Sequence, residues 1–149
     1  MNADGMRRIL ALILLIAAPL AAAGEFRSIG ENGVIMYDAP SVKANKLFVA
    51  SKLYPVELIV QVDNWTKVRD VAGDLAWVEK KDLSDTRTVL VTVPLADVRA
   101  KPEDAAPLVF QARQGVALEV VELGVGPWMK VRHRDGQSGY VRANQVWGL

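Results

Sequence analysis

Hydrophobic and polar positions fall into two regimes along this chain. From Ile9 to Leu20 there is no polar side chain at all. After residue 23 the apolar residues come in short runs, and none keeps helical spacing over a useful length. Val34-Ile35-Met36-Tyr37 is the first such run, and Asp38-Ala39-Pro40 ends it, because proline fixes its own backbone and pushes Ala39 to extended geometry. Leu47 to Ala50 is the next. Pro55 opens Val56 to Val60, and Asp63-Asn64 turns the chain into Trp65 to Arg69. Ala72-Gly73-Asp74 leads on to Leu75 to Val78, a hairpin signal, and Lys80 to Leu83 reads as a closing helical turn. Gly24 to Gly33 reads as a ragged polar entry, with Phe26 and Ile29 as anchors.

Thr88 to Val93 is rich in β-branched residues and reads as a strand. Pro102 and Pro107 bracket a loop. Val116, Leu118 and Val120 alternate with Ala117, Glu119 and Val121, the pattern of a half-buried strand. Asp135-Gly136 is a hairpin turn. Short strands punctuated by Gly, Pro, Asn and Asp predict an all-β fold of small antiparallel barrels.

The pattern occurs twice. Trp65-Thr66-Lys67-Val68-Arg69 returns as Trp128-Met129-Lys130-Val131-Arg132. Gly73 and Ala76-Trp77-Val78 line up with Gly136 and Gly139-Tyr140-Val141 at the same offset, and Leu83 falls opposite Val146. Upstream the offset is one shorter, with Pro40, Phe48 and Glu57 opposite Pro102, Phe110 and Glu119. The expected organisation is residues 1–23 as a leader, 24–86 as one barrel and 87–149 as a second. Asp85-Thr86-Arg87 is too short and too polar a boundary to act as a flexible linker, so the halves are expected to touch.

The two Trp-x-Lys-Val-Arg units resemble the bacterial SH3-like family, called SH3b. The second unit carries the resemblance best, through Val98-Arg99-Ala100-Lys101-Pro102, Trp128 to Val131 and Asp135 to Val141. The first departs at Ala76, where the family has glycine, and at Met36-Tyr37-Asp38, where it has a Val-Arg pair. The resemblance implies five-stranded barrels in exported bacterial proteins that bind peptides or cell-wall components and are usually not catalysts.

Composition changes the picture in three ways. Arg7-Arg8, the Ile9 to Leu20 run and Ala21-Ala22-Ala23 form the three-part pattern of a secretory signal, with cleavage expected near Ala23 and the periplasm as destination. The competing reading is an uncleaved anchor, although the run is short for a membrane span. Cysteine is absent, so no lipidated cysteine, thiol nucleophile or disulfide enters. Residues 24–86 hold eight basic and ten acidic side chains and residues 87–149 hold eight and six, which is too even for a nucleic-acid surface.

Candidate chemistry follows from spacing. Three residues along a strand reverse the face, so if Val68 and Val131 point inward, Trp65 and Trp128 point outward. The same holds for Trp77 beside Val78 and Tyr140 beside Val141. Lys67 and Lys130 share the tryptophan face, and a cation beside an aromatic suits a peptide carboxylate. Eukaryotic SH3 domains, which these units also resemble in outline, line a shallow peptide groove with corresponding Trp and Tyr positions, and Tyr37 falls at such a position. The candidate ligand-binding set is therefore Tyr37, Trp65, Lys67, Trp77, Trp128, Lys130 and Tyr140, against the plainer reading that these aromatics cover barrel ends or the seam. Trp147 reads as packing of the C-terminal segment.

His133 is the one histidine and has no cysteine partner, so neither a metal site nor a triad is expected, and no cofactor. Glu119 and Glu122, three apart, are expected on opposite strand faces and so unsuited to shared acid–base work. The expectation is a non-catalytic exported module that binds peptidoglycan stem peptide or glycan through aromatic grooves. The alternative is an assembly module docking on an envelope protein. A peptidoglycan hydrolase would require a nucleophile or metal site that the sequence does not offer.

Overall fold

The computed structural model describes residues 24–124 and 126–149. The expected signal segment, residues 1–23, lies outside them. Two seven-stranded antiparallel sheets follow one another along the chain. The first contains β1 (Glu25–Ile29), β2 (Val34–Tyr37), β3 (Lys46–Ala50), β4 (Pro55–Val62), β5 (Trp65–Arg69), β6 (Leu75–Glu79) and β7 (Leu83–Ser84). The second contains β8 (Thr88–Val91), β9 (Leu95–Arg99), β10 (Leu108–Arg113), β11 (Ala117–Glu122), β12 (Trp128–Arg132), β13 (Ser138–Arg142) and β14 (Val146–Trp147). Their strand orders, β3-β2-β6-β5-β4-β1-β7 and β10-β9-β13-β12-β11-β8-β14, are the same order shifted by seven. That is two segments more than the five strands the resemblance implies, and β7 and β14 have two residues each.

Each sheet must roll up, because one core touches strands from end to end. In the first, Ile29, Met36, Ala50, Val56, Val68 and Val78 form a single cluster, with Leu83 of β7 packed against it. In the second, Val91, Val98, Ala112, Leu118, Val131 and Val141 do the same. The alternation in Trp-x-Lys-Val-Arg is realised as drawn: Thr66 and Val68 are buried, and Trp65, Lys67 and Arg69 face the other way. Turn chemistry sets the registers. Gly73 and Gly136 stand at φ 91 and 97 in equivalent turns, where a Cβ would be strained. The Asp70 carboxylate accepts the N–H groups of Ala72 and Asp74 inside the first of these turns.

The first strand corrects one expectation. Glu25 to Ile29 is not a ragged entry but a strand paired with β4 on one side and β7 on the other. Its pattern hides it, since Phe26 and Ser28 are buried along with Ile29. The seam between the units explains this. Thr88 Oγ1 of the second unit donates to the Leu53 carbonyl of the first at 2.8 Å, and Ser28 Oγ donates at 2.7 Å to the Thr86 carbonyl of the boundary segment. Trp147 stands edge-on to Phe26, centroids 5.1 Å apart. Arg27 Nε bonds Asp85 at 2.9 Å. All four residues of β8 are buried, one face by its own barrel and the other by the first unit. The halves therefore touch, and Trp147 packs, though across the seam rather than within its own segment.

Candidate functional site: two aromatic faces

β5, β6 and β2 lie side by side and aim their outward side chains at one surface of the first unit. Lys67 sits opposite Trp77, Trp65 opposite Glu79, and Trp77 opposite Tyr37. The rings of Tyr37 and Trp65 meet edge to face at 5.5 Å, a favoured arrangement for two quadrupoles. Lys67 Nζ stands 6.0 Å from the centre of the Trp77 ring, at the outer limit of a cation–π contact. Trp65 and Trp77 are half-buried, so each keeps ring surface for a ligand, whereas Tyr37 is only 7% exposed and acts chiefly as the backing of Trp65. The structure thus brings Tyr37, Trp65, Lys67 and Trp77 together.

The equivalent surface of the second unit is built differently. Lys130 sits opposite Tyr140, and Tyr140 opposite Arg99, so an arginine stands where the first unit has Tyr37. Trp128 points outward as expected but is only 7% exposed. Arg142, opposite it in the ladder, lays its guanidinium 4.8 Å from the ring centre. Asp104 of the β9–β10 loop holds that guanidinium by a fork, accepting from Nε at 3.1 Å and also from Nη2. Arg99 ties down the same loop through the Ala106 carbonyl at 2.9 Å. Lys130 also faces Glu122 at 3.9 Å. Trp128 is thus covered by the protein itself, while Tyr140 and Lys130 stay half-buried.

Sequence reasoning missed Glu79, Arg99, Asp104 and Arg142. Glu79 and Arg142 were within reach, because each lies two residues beyond a candidate aromatic, Trp77 or Tyr140, on the same strand face. Arg99 and Asp104 were not, because nothing local says that the β9–β10 loop closes over β12. The last position of the repeated motif is structural: Arg69 pairs with Glu57 and Arg132 with Glu119, both at 2.9 Å.

One expectation about faces is overturned. Glu119 lies opposite Arg132 and Glu122 opposite Lys130, and those two cations share a face of β12. A register shift between Val120 and Glu122 adds a residue and restores the parity that three-residue spacing breaks. Both carboxylates are nevertheless occupied by cross-strand cations. His133 Nδ1 lies 3.1 Å from Asp135, and its ring is tilted against Phe110 at 5.9 Å. The Gln137 N–H, followed by His133, holds the Asp135 carboxyl below its usual range. Among the described residues no group of three or more His, Asp or Glu side chains is placed to hold a metal, and no helix is long and apolar enough to cross a membrane.

The family comparison agrees with two like units in tandem. The bacterial SH3 domain profile matches residues 30–85 and again residues 92–148. No curated protein matches the chain. Among solved structures, NlpC2 of Trichomonas vaginalis is 15% identical with a TM-score of 0.38, over 84% of this chain and 48% of its own. NlpC1 of the same organism is 17% identical at 0.39, over 90% and 49%. An NlpC/P60 family protein of Bacillus cereus is 16% identical at 0.36, over 83% and 56%. The chain spans about half the length of the solved structures it matches.

Proposed function

The chain belongs to the bacterial SH3 domain family, through two tandem matches that cover most of its length, and from that premise we propose that it is an exported, non-catalytic binding module for the cell envelope. Its ligand is a peptidoglycan stem peptide or glycan, held on the first unit's aromatic face. The observation that carries this reading is the Tyr37–Trp65 pair standing beside Trp77 and Lys67. Such a surface stacks on the apolar C–H faces of sugars or on a stiff extended peptide, and Lys67 supplies a partner for a carboxylate. Lys130 and Tyr140 form a smaller counterpart in the second unit, with Trp128 beneath its arginine.

Export rests on residues 1–23 and places the module in the periplasm. N-terminal mass spectrometry of the secreted chain should find a start within a few residues of Gly24. An intact cytosolic chain would contradict export. Binding is tested by sedimentation with purified sacculi, in which Trp65→Ala should lose most of the bound fraction while keeping its fold.

A second reading has its own support. β3 is an edge strand, and its outward Leu47 and Val49 are bare, Val49 at 66% exposure. A bare apolar edge suits addition of a partner strand and hence an assembly module that docks on an envelope protein. Charged substitutions at Leu47 and Val49 that abolish a specific co-purifying protein, with sacculus binding absent throughout, would favour this reading over the first.

A further inference from the structure

A cleft of about 310 Å³ opens at one end of the seam. One wall is the Ser51–Tyr54 turn of the first unit. The other comes from the second unit, as Gly115 to Ala117 with His133 and Arg134, and Leu90 lies between. Leu53, Tyr54, Leu90 and Val116 give it apolar lining. Lys52 and Arg134 line it from opposite units, and neither has a carboxylate partner among the described residues. Two like charges placed across one hollow repel, and an anion between them turns that repulsion into attraction. An arginine fork beside a lysine is suited to a carboxylate.

The cleft does not end at the seam. It shares Ser51 and Tyr54 with a hollow of about 260 Å³ in the first unit, lined by Phe48, Asp70 and Asp74. It shares Val116 and His133 with one of about 320 Å³ in the second, lined by Phe110, Arg113 and Asp135. These side hollows are repeats of one another, since Phe48 and Phe110 are equivalent, as are Asp70 and His133. The chemistry has diverged: the first presents two carboxylates, and the second sets Arg113 and His133 beside the single carboxylate of Asp135. None of the aromatic-face residues lines any of the three.

We propose that this trough is a second binding site, for a short zwitterionic peptide. The peptide's terminal carboxylate lies between Lys52 and Arg134, its small apolar side chains lie on Leu53, Leu90 and Val116, and its ammonium points toward Asp70 and Asp74. The site exists only in the tandem, because the two cations come from different units. It lies apart from the Trp65 face, so each site can fail without the other.

The probe is trialanine, titrated into the full chain and followed by amide chemical shifts. Saturable shifts are expected at Lys52, Gly115 to Ala117 and Arg134. Amidating the peptide's C-terminus should weaken binding by about tenfold or more, as should the Lys52→Gln/Arg134→Gln double variant, whose melting temperature should match the parent because both side chains are exposed. N-acetylation should weaken binding several-fold. Trp65→Ala should leave trialanine binding unchanged. Absence of saturable shifts, equal binding by the amidated peptide or the double variant, or sodium acetate matching trialanine at equal concentration would each overturn the proposal. Loss of trialanine binding in Trp65→Ala would overturn the separation of the two sites.

Discussion

Trp65 and Trp128 occupy the same place in the same repeated motif, yet their surroundings differ. The first unit sets Glu79 opposite its tryptophan and backs the ring with Tyr37. The second sets Arg142 there, and Asp104 pins the guanidinium across the indole. The change in the ladder from an acid to a base accompanies the change of the ring from half-buried to buried. A carboxylate avoids the negative face of an indole and leaves it open, whereas a guanidinium stacks on it. Repetition of a motif therefore transmits the barrel but not the state of the surface it carries.

Predictions can break or sharpen this contrast. The largest effects should be equal in both units. Val68→Asp and Val131→Asp each bury an unpaired carboxylate at a fully enclosed position, which should cost several kcal/mol and unfold the affected barrel in circular-dichroism melts. The contrast itself comes next. Trp128→Ala should cost about 3 kcal/mol or more, as for a buried aromatic, and Trp65→Ala about 1 kcal/mol, as for a partly exposed one. Equal losses in chemical denaturation would show that the arginine roof has no energetic meaning.

Releasing the roof is a gentler test. Asp104→Ala removes an exposed ion pair worth about 0.5 kcal/mol, so stability should hardly change. Accessibility of Trp128 to iodide or acrylamide should rise, measured by fluorescence with the other tryptophans replaced by phenylalanine. No change in quenching would mean that Arg142 stays in place without its carboxylate.

Acid should act on the two units in opposite senses. Asp82 in the first unit has its pKa raised by burial and by Glu79 and Glu31, with Lys81 opposing. Its folded pKa exceeds its unfolded one, so its charge weakens the fold at neutral pH and the penalty fades as pH falls through the folded value. Asp82→Asn should thus raise the melting temperature at pH 7 and lose that advantage once the pH falls below the ordinary aspartate range. Asp135 in the second unit is lowered, so its contribution is present above the unfolded value and is lost as pH falls through the folded one. Asp135→Asn should lower the melting temperature at pH 7, and the gap should close in acid. Gaps of the same sign for both variants would refute the opposition.

A last difference between the units lies in the core. Thr66 is fully buried with no partner for its hydroxyl, where the second unit has Met129. Thr66→Val should stabilise the chain by about 1 kcal/mol in urea melts. A loss instead would reveal a hydrogen bond made by that hydroxyl.

What was legible follows from which interactions are local. The strands from Trp65 to Val78 and their counterparts could be read because period-two alternation and Gly or Asp turns are written within a few residues. The outward direction of Trp65, Lys67, Trp77, Trp128, Lys130 and Tyr140 followed from the same parity. β1 was not legible, because its second face is buried against Trp147 of the other unit and so carries Phe26 where a solvated face would be polar. Nor was the bulge at Val120–Glu122, since parity arguments assume an unbroken ladder. The arginine over Trp128 is held by Asp104, 24 residues upstream of the tryptophan in the chain, and no spacing rule connects them. Ala76 departs from the family's glycine, and Gly139 shows why glycine is used there: a Cβ would come within 2.6 Å of the Arg99 carbonyl oxygen. The first unit has Ala76 fully packed in its core instead.

The edge-on meeting of Phe26 and Trp147 has a mechanical consequence. These residues lie in the first and last strands of the described residues, and with the Thr88 hydrogen bond they tie one unit to the other. Tension applied across this clasp also loads the ladders that hold β1 on β4 and β14 on β8, because Phe26 and Trp147 belong to those strands. The ladders between β5 and β6 and between β12 and β13 lie further in. A pulled molecule should therefore shed β1 and β14 as the units separate, a short release, before the larger extensions of two unravelling sheets.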